Sequence, residues 1–298
     1  MQKKIIQTLA VASSNGGSSE SCAQGPLVLQ QSSYASNLSK IDKANDKALS
    51  LNWHEPLVVA GNEKNSLNIL KKQSFYITQF VQQQIEDEYP FLIFSGDHSS
   101  AIGTWSGVLN SLPAESSFAL IWIDAHMDAH TLSTSHSGNL HGMPVSVLLG
   151  EAEHELQDCC PAQYNLPGKD LYMFGIRSYE ADELVLLSKN KVNVFDTLHI
   201  EQQGGTTKVL KGLIQSVSRC YDKFAISLDI DAIDPNDAPG VAIREPAGLP
   251  AADLLAALSE SEFADNFLGL EISEFDPAAD ISNKTEKLVF EIVKAVYL

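Results

Sequence analysis

Short apolar runs alternate along the chain with longer segments in which apolar residues recur every three or four positions. Such runs are typical of strands buried on both faces of a parallel sheet, and the recurring pattern is typical of helices that cover it. The runs predict strands at residues 5–11, 57–60, 91–94, 118–123, 171–174, 192–195, 224–228 and 268–272. The recurring patterns predict helices at residues 65–89, 99–109, 181–188, 250–258 and 284–298. The alternation predicts an α/β protein with a mostly parallel sheet between two layers of helices.

Composition limits the kinds of protein this chain can be. Its 298 residues, 44% of them hydrophobic, suit one large domain spanning residues 1–298. No apolar run has the length of a membrane-spanning helix, and a first strand explains the apolar N-terminal run better than a signal peptide does, so we expect a cytoplasmic protein. The formal net charge of −18 disfavours nucleic acid and anionic membranes as partners, and it would help attract a cationic substrate.

Side chains that bind metal ions follow three of the predicted strands. GDHS at 96–99, DAHMD at 124–128 and DID at 229–231 each end an apolar run. Because ligands of parallel sheets bind beyond the carboxyl ends of the strands, these side chains should meet at one edge of the sheet. The candidate ligands are His98, Asp124, His126, Asp128, Asp229 and Asp231.

Four carboxylates and two imidazoles are more ligands than one catalytic zinc ion needs. Two ions that share bridging carboxylates fit the number better. The oxygen-rich set favours Mn²⁺ or Mg²⁺, and the imidazoles favour Mn²⁺. Such a pair would lower the pKa of a bridging water and supply a hydroxide nucleophile at physiological pH. Each motif alone has a plainer interpretation, such as a helix cap at Asp229 or a hydrogen-bonded turn at His98.

Four segments together resemble the ureohydrolase family, which includes arginases, agmatinases and formimidoylglutamases. They are SGDHS at 95–99, DAHMD at 124–128, SLDIDAIDP at 227–235 and EISEFDP at 271–277, in the family's order. The resemblance runs nearly end to end. It implies a three-layer α/β/α sandwich with an eight-stranded, mostly parallel sheet. It also implies a Mn²⁺ pair in each subunit, hydrolysis of a guanidino or formimino group, and assembly as a trimer or hexamer.

The family's ligand pattern, carried over to this chain, implies four side chains for each ion. One ion would be bound by His98, Asp124, Asp128 and Asp229. The other would be bound by Asp124, His126, Asp229 and Asp231. The resemblance therefore makes bridges of Asp124 and Asp229, and it implies that Asp128 also steadies the attacking hydroxide.

The polar loop at 131–141 favours arginase among these subfamilies. In arginases this loop meets the amino-acid end of the substrate, so the resemblance implies that Ser137 and Asn139 contact an α-carboxylate. His141 would deliver a proton to the leaving amine, a role that suits an imidazole near neutral pH. Glu274 would accept hydrogen bonds from the guanidinium group.

Several positions at the substrate end depart from the arginase pattern. His130 stands where arginases commonly have Asn, and Ser135 stands where they often have Thr. RSYEADE at 177–183 replaces the usual RDVDPGE, so Glu180 could replace the aspartate that meets the α-amino group, and Glu183 is a further candidate contact. IREP at 243–246 replaces a usual Thr-Pro segment, and its Arg244 could pair with a substrate carboxylate, with a neighbouring subunit or in a plain surface salt bridge.

These residues lead to the hypothesis of a binuclear manganese hydrolase that converts L-arginine to L-ornithine and urea through a metal-bridging hydroxide. The nearest alternative is the same chemistry on formimidoylglutamate, agmatine or guanidinobutyrate. More distant alternatives are a metal-stabilised scaffold without activity, against which His141 and Glu274 argue, and a metal-dependent deacetylase, whose usual His-His pair is not visible in this sequence.

Overall fold

The sheet that the apolar runs predict is present in the computed structural model, which describes residues 2–39, 47–59 and 65–298. Its strands pair in parallel. They are β1 (Gln2–Ala12), β2 (Lys47–Trp53), β3 (Leu57–Val58), β4 (Phe91–Ser95), β5 (Phe118–Ile123), β6 (Leu171–Ile176), β7 (Asn193–Asp196), β8 (Lys223–Asp229) and β9 (Phe267–Ser273). The predicted run at 57–60 ends at Ala60, which lies outside the described residues.

Helices connect these strands along the described part of the chain. They are α1 (Gly25–Gln31), α2 (Ser33–Leu38), α3 (Leu67–Glu86), α4 (Ala101–Ser111), α5 (Pro144–Leu148), α6 (His154–Gln157), α7 (Ala181–Lys189), α8 (Thr197–Gln202), α9 (Thr206–Cys220), α10 (Ala251–Ser259) and α11 (Lys284–Tyr297). Short 3₁₀ turns lie at Glu20–Gln24, His98–Ser100, Leu140–Gly142, Gly168–Asp170 and Ile230–Ala232. None of the helices in the described ranges is long and apolar enough to cross a membrane.

The sheet has nine strands among the described residues, so the expected number of eight is wrong by one. The strand order is β2-β1-β4-β9-β8-β5-β6-β7, and the short β3 also pairs with β1. The strand absent from the prediction is β2, which lies at one end of this order. Ser50 and Asn52 interrupt its apolar pattern, because an edge strand need not be apolar along its whole length.

Helix α9 was also absent from the prediction, although the sequence carried its signal. Leu210, Leu213, Ile214 and Val217 are buried along this helix. Their spacing is that of one helix face. The five helices that were predicted are present as α3, α4, α7, α10 and α11, with ends shifted by up to three residues.

The expected three layers are confirmed by two separate cores, one on each face of the sheet. Within β5, Ala119, Ile121 and Ile123 belong to the core that contains α9, α10 and α11. Phe118, Leu120 and Trp122 belong to the core that contains α3 and α4. The alternation follows from the two-residue period of a strand. It also explains why these strands are apolar throughout.

The candidate ligands follow neighbouring central strands. Strands β4, β9, β8 and β5 lie side by side in that order. All run in the same direction. Their carboxyl ends therefore lie at one edge of the sheet, and the segments that begin at Gly96, Asp124, Asp229 and Glu274 come together there.

Candidate metal centre and active site

The imidazole of His98 lies at the centre of three carboxylates. Its Nδ1 is 3.1 Å from Asp124 Oδ2, 3.1 Å from Asp128 Oδ2 and 3.3 Å from Asp229 Oδ2. The ring stacks on Trp122 at 4.2 Å between centroids, and its Nε2 is 3.0 Å from Ser227 Oγ. Stacking and hydrogen bonding therefore fix the direction in which Nδ1 points.

A second cluster shares Asp124 with the first. His126 Nδ1 is 3.5 Å from Asp124 Oδ1 and 3.1 Å from Asp231 Oδ2. The two oxygens of Asp124 thus face different imidazoles, as a bridging ligand requires. Three-residue groups that could each hold a metal ion are His98, Asp124 and Asp128 in one case and Asp124, His126 and Asp231 in the other. Asp229 contacts the first group through His98, and among the described interactions it has no contact with His126.

The crowding of acidic groups is visible in their pKa values. Burial and the negative charge of Asp124 raise the pKa of Asp128 to about 7. Burial, with Asp231 and Asp124 nearby, raises the pKa of Asp229 well above its ordinary value. Burial also opposes ionisation of Asp124, but the nearby imidazoles of His126 and His98 outweigh it and lower the pKa. Buried charges of one sign need a compensating cation.

Two residues of the site have left-handed backbone, which side chains other than glycine rarely adopt. Asp128 has φ of 48° and Glu274 has φ of 66°. Such a conformation costs on the order of 1–3 kcal/mol and persists where the surrounding structure enforces it. Both residues are buried, and both direct a carboxylate into the cluster around His98.

The donor set fits a pair of divalent cations. His98 Nδ1 is buried without a hydrogen bond of adequate geometry, although three carboxylate oxygens surround it. Bound metal would use this nitrogen and would offset the negative charge of the carboxylates. Oxygen ligands with two imidazoles suit Mn²⁺ better than softer metals.

The largely buried His141 and the buried Glu274 form a pair beside the first cluster. His141 Nδ1 is 2.9 Å from Glu274 Oε1, and the same oxygen accepts a hydrogen bond of 3.0 Å from the backbone N–H of His98. Burial lowers the pKa of His141, but the charge of Glu274 outweighs this and raises the pKa to about 9. At neutral pH His141 is therefore a cationic proton donor.

A cavity of about 260 Å³ joins these clusters to the predicted substrate end of the site. Its lining residues are His126, Asp128, His130, Ser135, Ser137, Asn139, His141, Gly142, Glu180, Glu183, Asp229, Asp231, Val241, Ile243 and Glu274. All six residues predicted for substrate contacts thus lie in one cavity with the predicted catalytic residues. Arg244 is not among the lining residues, and its guanidinium donates to the carbonyls of Pro239 and Ala279 instead.

Polar side chains in the loop at 131–141 hold the loop itself as well as facing the cavity. Ser135 Oγ accepts a 3.0 Å hydrogen bond from the N–H of Gly138. Ser137 Oγ accepts one of 3.2 Å from the N–H of Asn139. The hydroxyl groups can still donate to a substrate carboxylate, since a hydroxyl both accepts and donates.

His130, Glu180 and Glu183 form a third cluster at the other side of the cavity. His130 Nε2 is 2.9 Å from Glu180 Oε2 and 3.5 Å from Glu183 Oε2. Glu183 also accepts from the backbone N–H groups of Ala129 and Glu180, which makes it a helix-capping residue as well as a cavity residue. Burial raises the pKa of Glu183 to about 8.

Sequence reasoning missed several residues that support this centre. Asp97 accepts hydrogen bonds from the N–H groups of Gly16 and Ser99, and so ties the loop after β1 to the His98 turn. Glu271 is fully buried and contacts Ser227 Oγ at 3.3 Å. Both residues lie in segments that carry the family resemblance, Asp97 in SGDHS and Glu271 in EISEFDP, but neither segment alone indicates that these acids support the centre from buried positions.

The fold and the clusters define the chain as a three-layer α/β protein with a candidate metal centre at the carboxyl edge of a parallel sheet. A family model described as "Arginase family" matches residues 6–298. The arginase of Bacillus subtilis (strain 168) is 34% identical over 239 residues, which cover 80% of this chain and 75% of that protein.

Solved structures agree with the sequence matches. A crystal structure of Bacillus subtilis arginase has a TM-score of 0.86 at 28% identity and covers 99% of this chain and 98% of that one. Formimidoylglutamase from the same species has a TM-score of 0.78 at 22% identity over 99% of this chain and 86% of that one, a likeness of fold alone. The chain belongs to the arginase family. It is accordingly a hydrolase acting on linear amidine carbon–nitrogen bonds.

Proposed function

We propose that this chain is a manganese-dependent hydrolase that converts L-arginine to L-ornithine and urea. The observation that carries the proposal is the charge of the cavity. No lysine or arginine is present among the described lining residues, whereas six carboxyl groups are, those of Asp128, Glu180, Glu183, Asp229, Asp231 and Glu274. Such a cavity suits a cationic guanidinium and disfavours a substrate with two carboxylates.

The loop side of the cavity suits the amino-acid end of arginine. Ser137 and Asn139 offer hydroxyl and amide donors to an α-carboxylate, and Glu180 offers an acceptor to an α-ammonium group. Agmatine lacks the carboxylate and would leave the loop donors without a partner. The names of the sequence relatives, arginases from Bacillus subtilis and Entamoeba histolytica, agree with this choice.

The six predicted ligands would hold the metal ions. One ion would lie among His98, Asp124, Asp128 and Asp229, and the other would lie among Asp124, His126, Asp229 and Asp231. When bound, the pair would supply Lewis-acid activation of water and would stabilise negative charge in the transition state.

The chain's own side chains would position the substrate and move the proton. Glu274 uses Oε1 for His98 and His141, so Oε2 is the oxygen that remains for the guanidinium. His141 uses Nδ1 for Glu274, so Nε2 would donate the proton to the leaving amine. Asp128, which lines the cavity, would accept a hydrogen bond from the attacking water.

The test is a panel of substrates offered to protein loaded with Mn²⁺: L-arginine, agmatine, guanidinobutyrate and formimidoylglutamate. Urea and formamide are measured separately. We expect urea from L-arginine with the highest kcat/KM of the panel. Release of formamide, or faster release of urea from agmatine or guanidinobutyrate, would contradict the arginase assignment while retaining the amidine chemistry.

A further inference from the structure

The two imidazoles of the metal centre differ in the group that each Nε2 atom faces. His98 directs Nδ1 to the carboxylates and Nε2 to the buried Ser227 hydroxyl at 3.0 Å. His126 directs Nδ1 to Asp124 and Asp231, and its Nε2 faces Glu245 Oε1 at 3.5 Å. Glu245 belongs to none of the motifs that identified the site.

The chemistry of a neutral imidazole defines what Nε2 of His126 needs. If Nδ1 binds a cation, the ring proton must be on Nε2, and this N–H requires an acceptor. Glu245 presents a carboxylate oxygen at that position, and the 3.5 Å separation is an ion-pair contact, longer than the usual hydrogen bond of about 2.9 Å. The side chain of Glu245 is 25% exposed, so its charge is partly shielded from water.

The backbone of Glu245 is held in place by Arg177. All five N–H donors of this guanidinium reach backbone carbonyls. The accepting residues are Gly175, Asp231, Ala232, Glu245 and Pro246. The same side chain thus ties the segment that carries Glu245 to the segment that carries Asp231, which faces the same imidazole.

From these contacts we propose that Glu245 is a positioning residue for the metal centre: it accepts the Nε2 proton of His126 and so orients Nδ1 toward the ion shared with Asp124 and Asp231. The proposal rests on the proposed metal-dependent function of this site. It assigns Glu245 to one ion of the pair only, because the outer partner of His98 is Ser227.

Four variants separate orientation from charge. Glu245→Ala removes the carboxylate, and Glu245→Asp keeps the charge but withdraws it by one bond. Glu245→Gln keeps the reach and an acceptor oxygen but removes the charge. Glu262→Ala is the control, since Glu262 is exposed and lies outside the cavity lining.

The measurement is calorimetric titration of the metal-free, full-length variants with Mn²⁺, alongside their thermal unfolding without metal. We expect Glu245→Ala and Glu245→Asp to weaken one of two Mn²⁺ equivalents by about 10-fold or more, in the range typical of outer partners of metal ligands. Glu245→Gln should lose less Mn²⁺ affinity than these two variants, and Glu262→Ala should bind Mn²⁺ as the wild type does. Without metal, the four variants and the wild type should have similar unfolding temperatures.

Two results would overturn the proposal. If Glu245→Asp binds both equivalents as the wild type does, orientation by the carboxylate is wrong, whether or not Glu245→Ala folds. If Glu245→Gln is as weak as Glu245→Ala while Glu245→Asp is unaffected, only the local charge matters. A wild-type protein that binds no Mn²⁺ would instead contradict the proposed function, so the two failures are distinguishable.

Discussion

At the level of single residues, the charge of Glu274 and a hydrogen bond to it raise the pKa of His141. Its Nδ1 is 2.9 Å from Glu274 Oε1, and both groups are buried or nearly so. A histidine held in this way is a cation at neutral pH and can give up a proton from its other nitrogen. This makes His141 the residue on which the leaving-group step of the proposed reaction depends.

His141→Asn should lower kcat for urea release by about 100-fold or more, the usual contribution of a general acid, with a much smaller change in KM. The physical reason is that an amide cannot donate a proton to the leaving amine. His154→Asn is the matched control, because the His154 side chain is 87% exposed and outside the cavity. A kcat equal to that of the wild type would exclude His141 as the proton donor.

The same pair predicts a pH dependence of stability in the metal-free protein. Burial opposes the charge of His141, but Glu274 raises its folded pKa to about 9, above an unfolded value of about 6.5. The stabilisation is therefore fully present below about pH 6.5 and is lost as the pH rises through about 9. The free energies of unfolding of the wild type and of His141→Asn should be measured by chemical unfolding from pH 6 to pH 10. The difference between them should shrink as the pH rises across this window. A constant difference would contradict the pairing.

The residues that the sequence could predict differ in kind from those it could not. His98 and Asp124 follow apolar runs directly, so strand periodicity was sufficient to place them at one edge. Glu245 and Ser227 reach the imidazoles from segments more than a hundred residues away in sequence. Contacts of that kind depend on strand order, which no local spacing carries.

At the scale of the element, the turn after β4 is the most constrained part of the site. An added Cβ at Gly96 would lie 2.0 Å from the carbonyl oxygen of Ser13 and 2.9 Å from that of Cys22. Backbone atoms cannot withdraw as the end of a flexible side chain can. The close approach is what allows this turn to present His98 to the neighbouring strands.

Gly96→Ala should lower the free energy of unfolding by about 1–3 kcal/mol, the usual cost of overpacking. Gly212→Ala is the contrasting variant, since the Cβ that it would add in α9 has no atom within 4 Å apart from its chain neighbours and the backbone of its own helix. It should raise stability by about 0.5–1 kcal/mol, because alanine favours a helix over glycine. Denaturant unfolding measures both, and equal effects of the two substitutions would refute the packing argument.

Elements were predictable where burial was complete on both faces. Strands β4, β5, β8 and β9 are buried throughout or nearly so, and each gave a clear apolar run. Strand β2 has one neighbour and a mixed pattern, so its sequence resembles a loop.

At the scale of the whole molecule, the sheet concentrates acidic groups that are unfavourable together without a cation. Four adjacent strands deliver them to one edge, where most of these acidic groups are buried. Metal binding should therefore stabilise the fold as well as supply chemistry.

Removal of metal by a chelator should lower the melting temperature. Binding at 100 times Kd contributes about 2.7 kcal/mol. For a chain of this size that corresponds to roughly 5 °C. Differential scanning calorimetry with and without chelator measures the shift, and added Mn²⁺ should reverse it. A melting temperature that does not depend on metal would contradict the assignment of the two clusters.

The balance of products from L-arginine in the presence of Mn²⁺ tests the proposed reaction directly. The wild type should release equal amounts of L-ornithine and urea. Asp128→Asn should be slower by at least about 100-fold, a larger loss than most outer partners of a metal cause. Wild-type protein that releases neither product, or an Asp128→Asn variant that turns over as the wild type does, would contradict the proposed reaction.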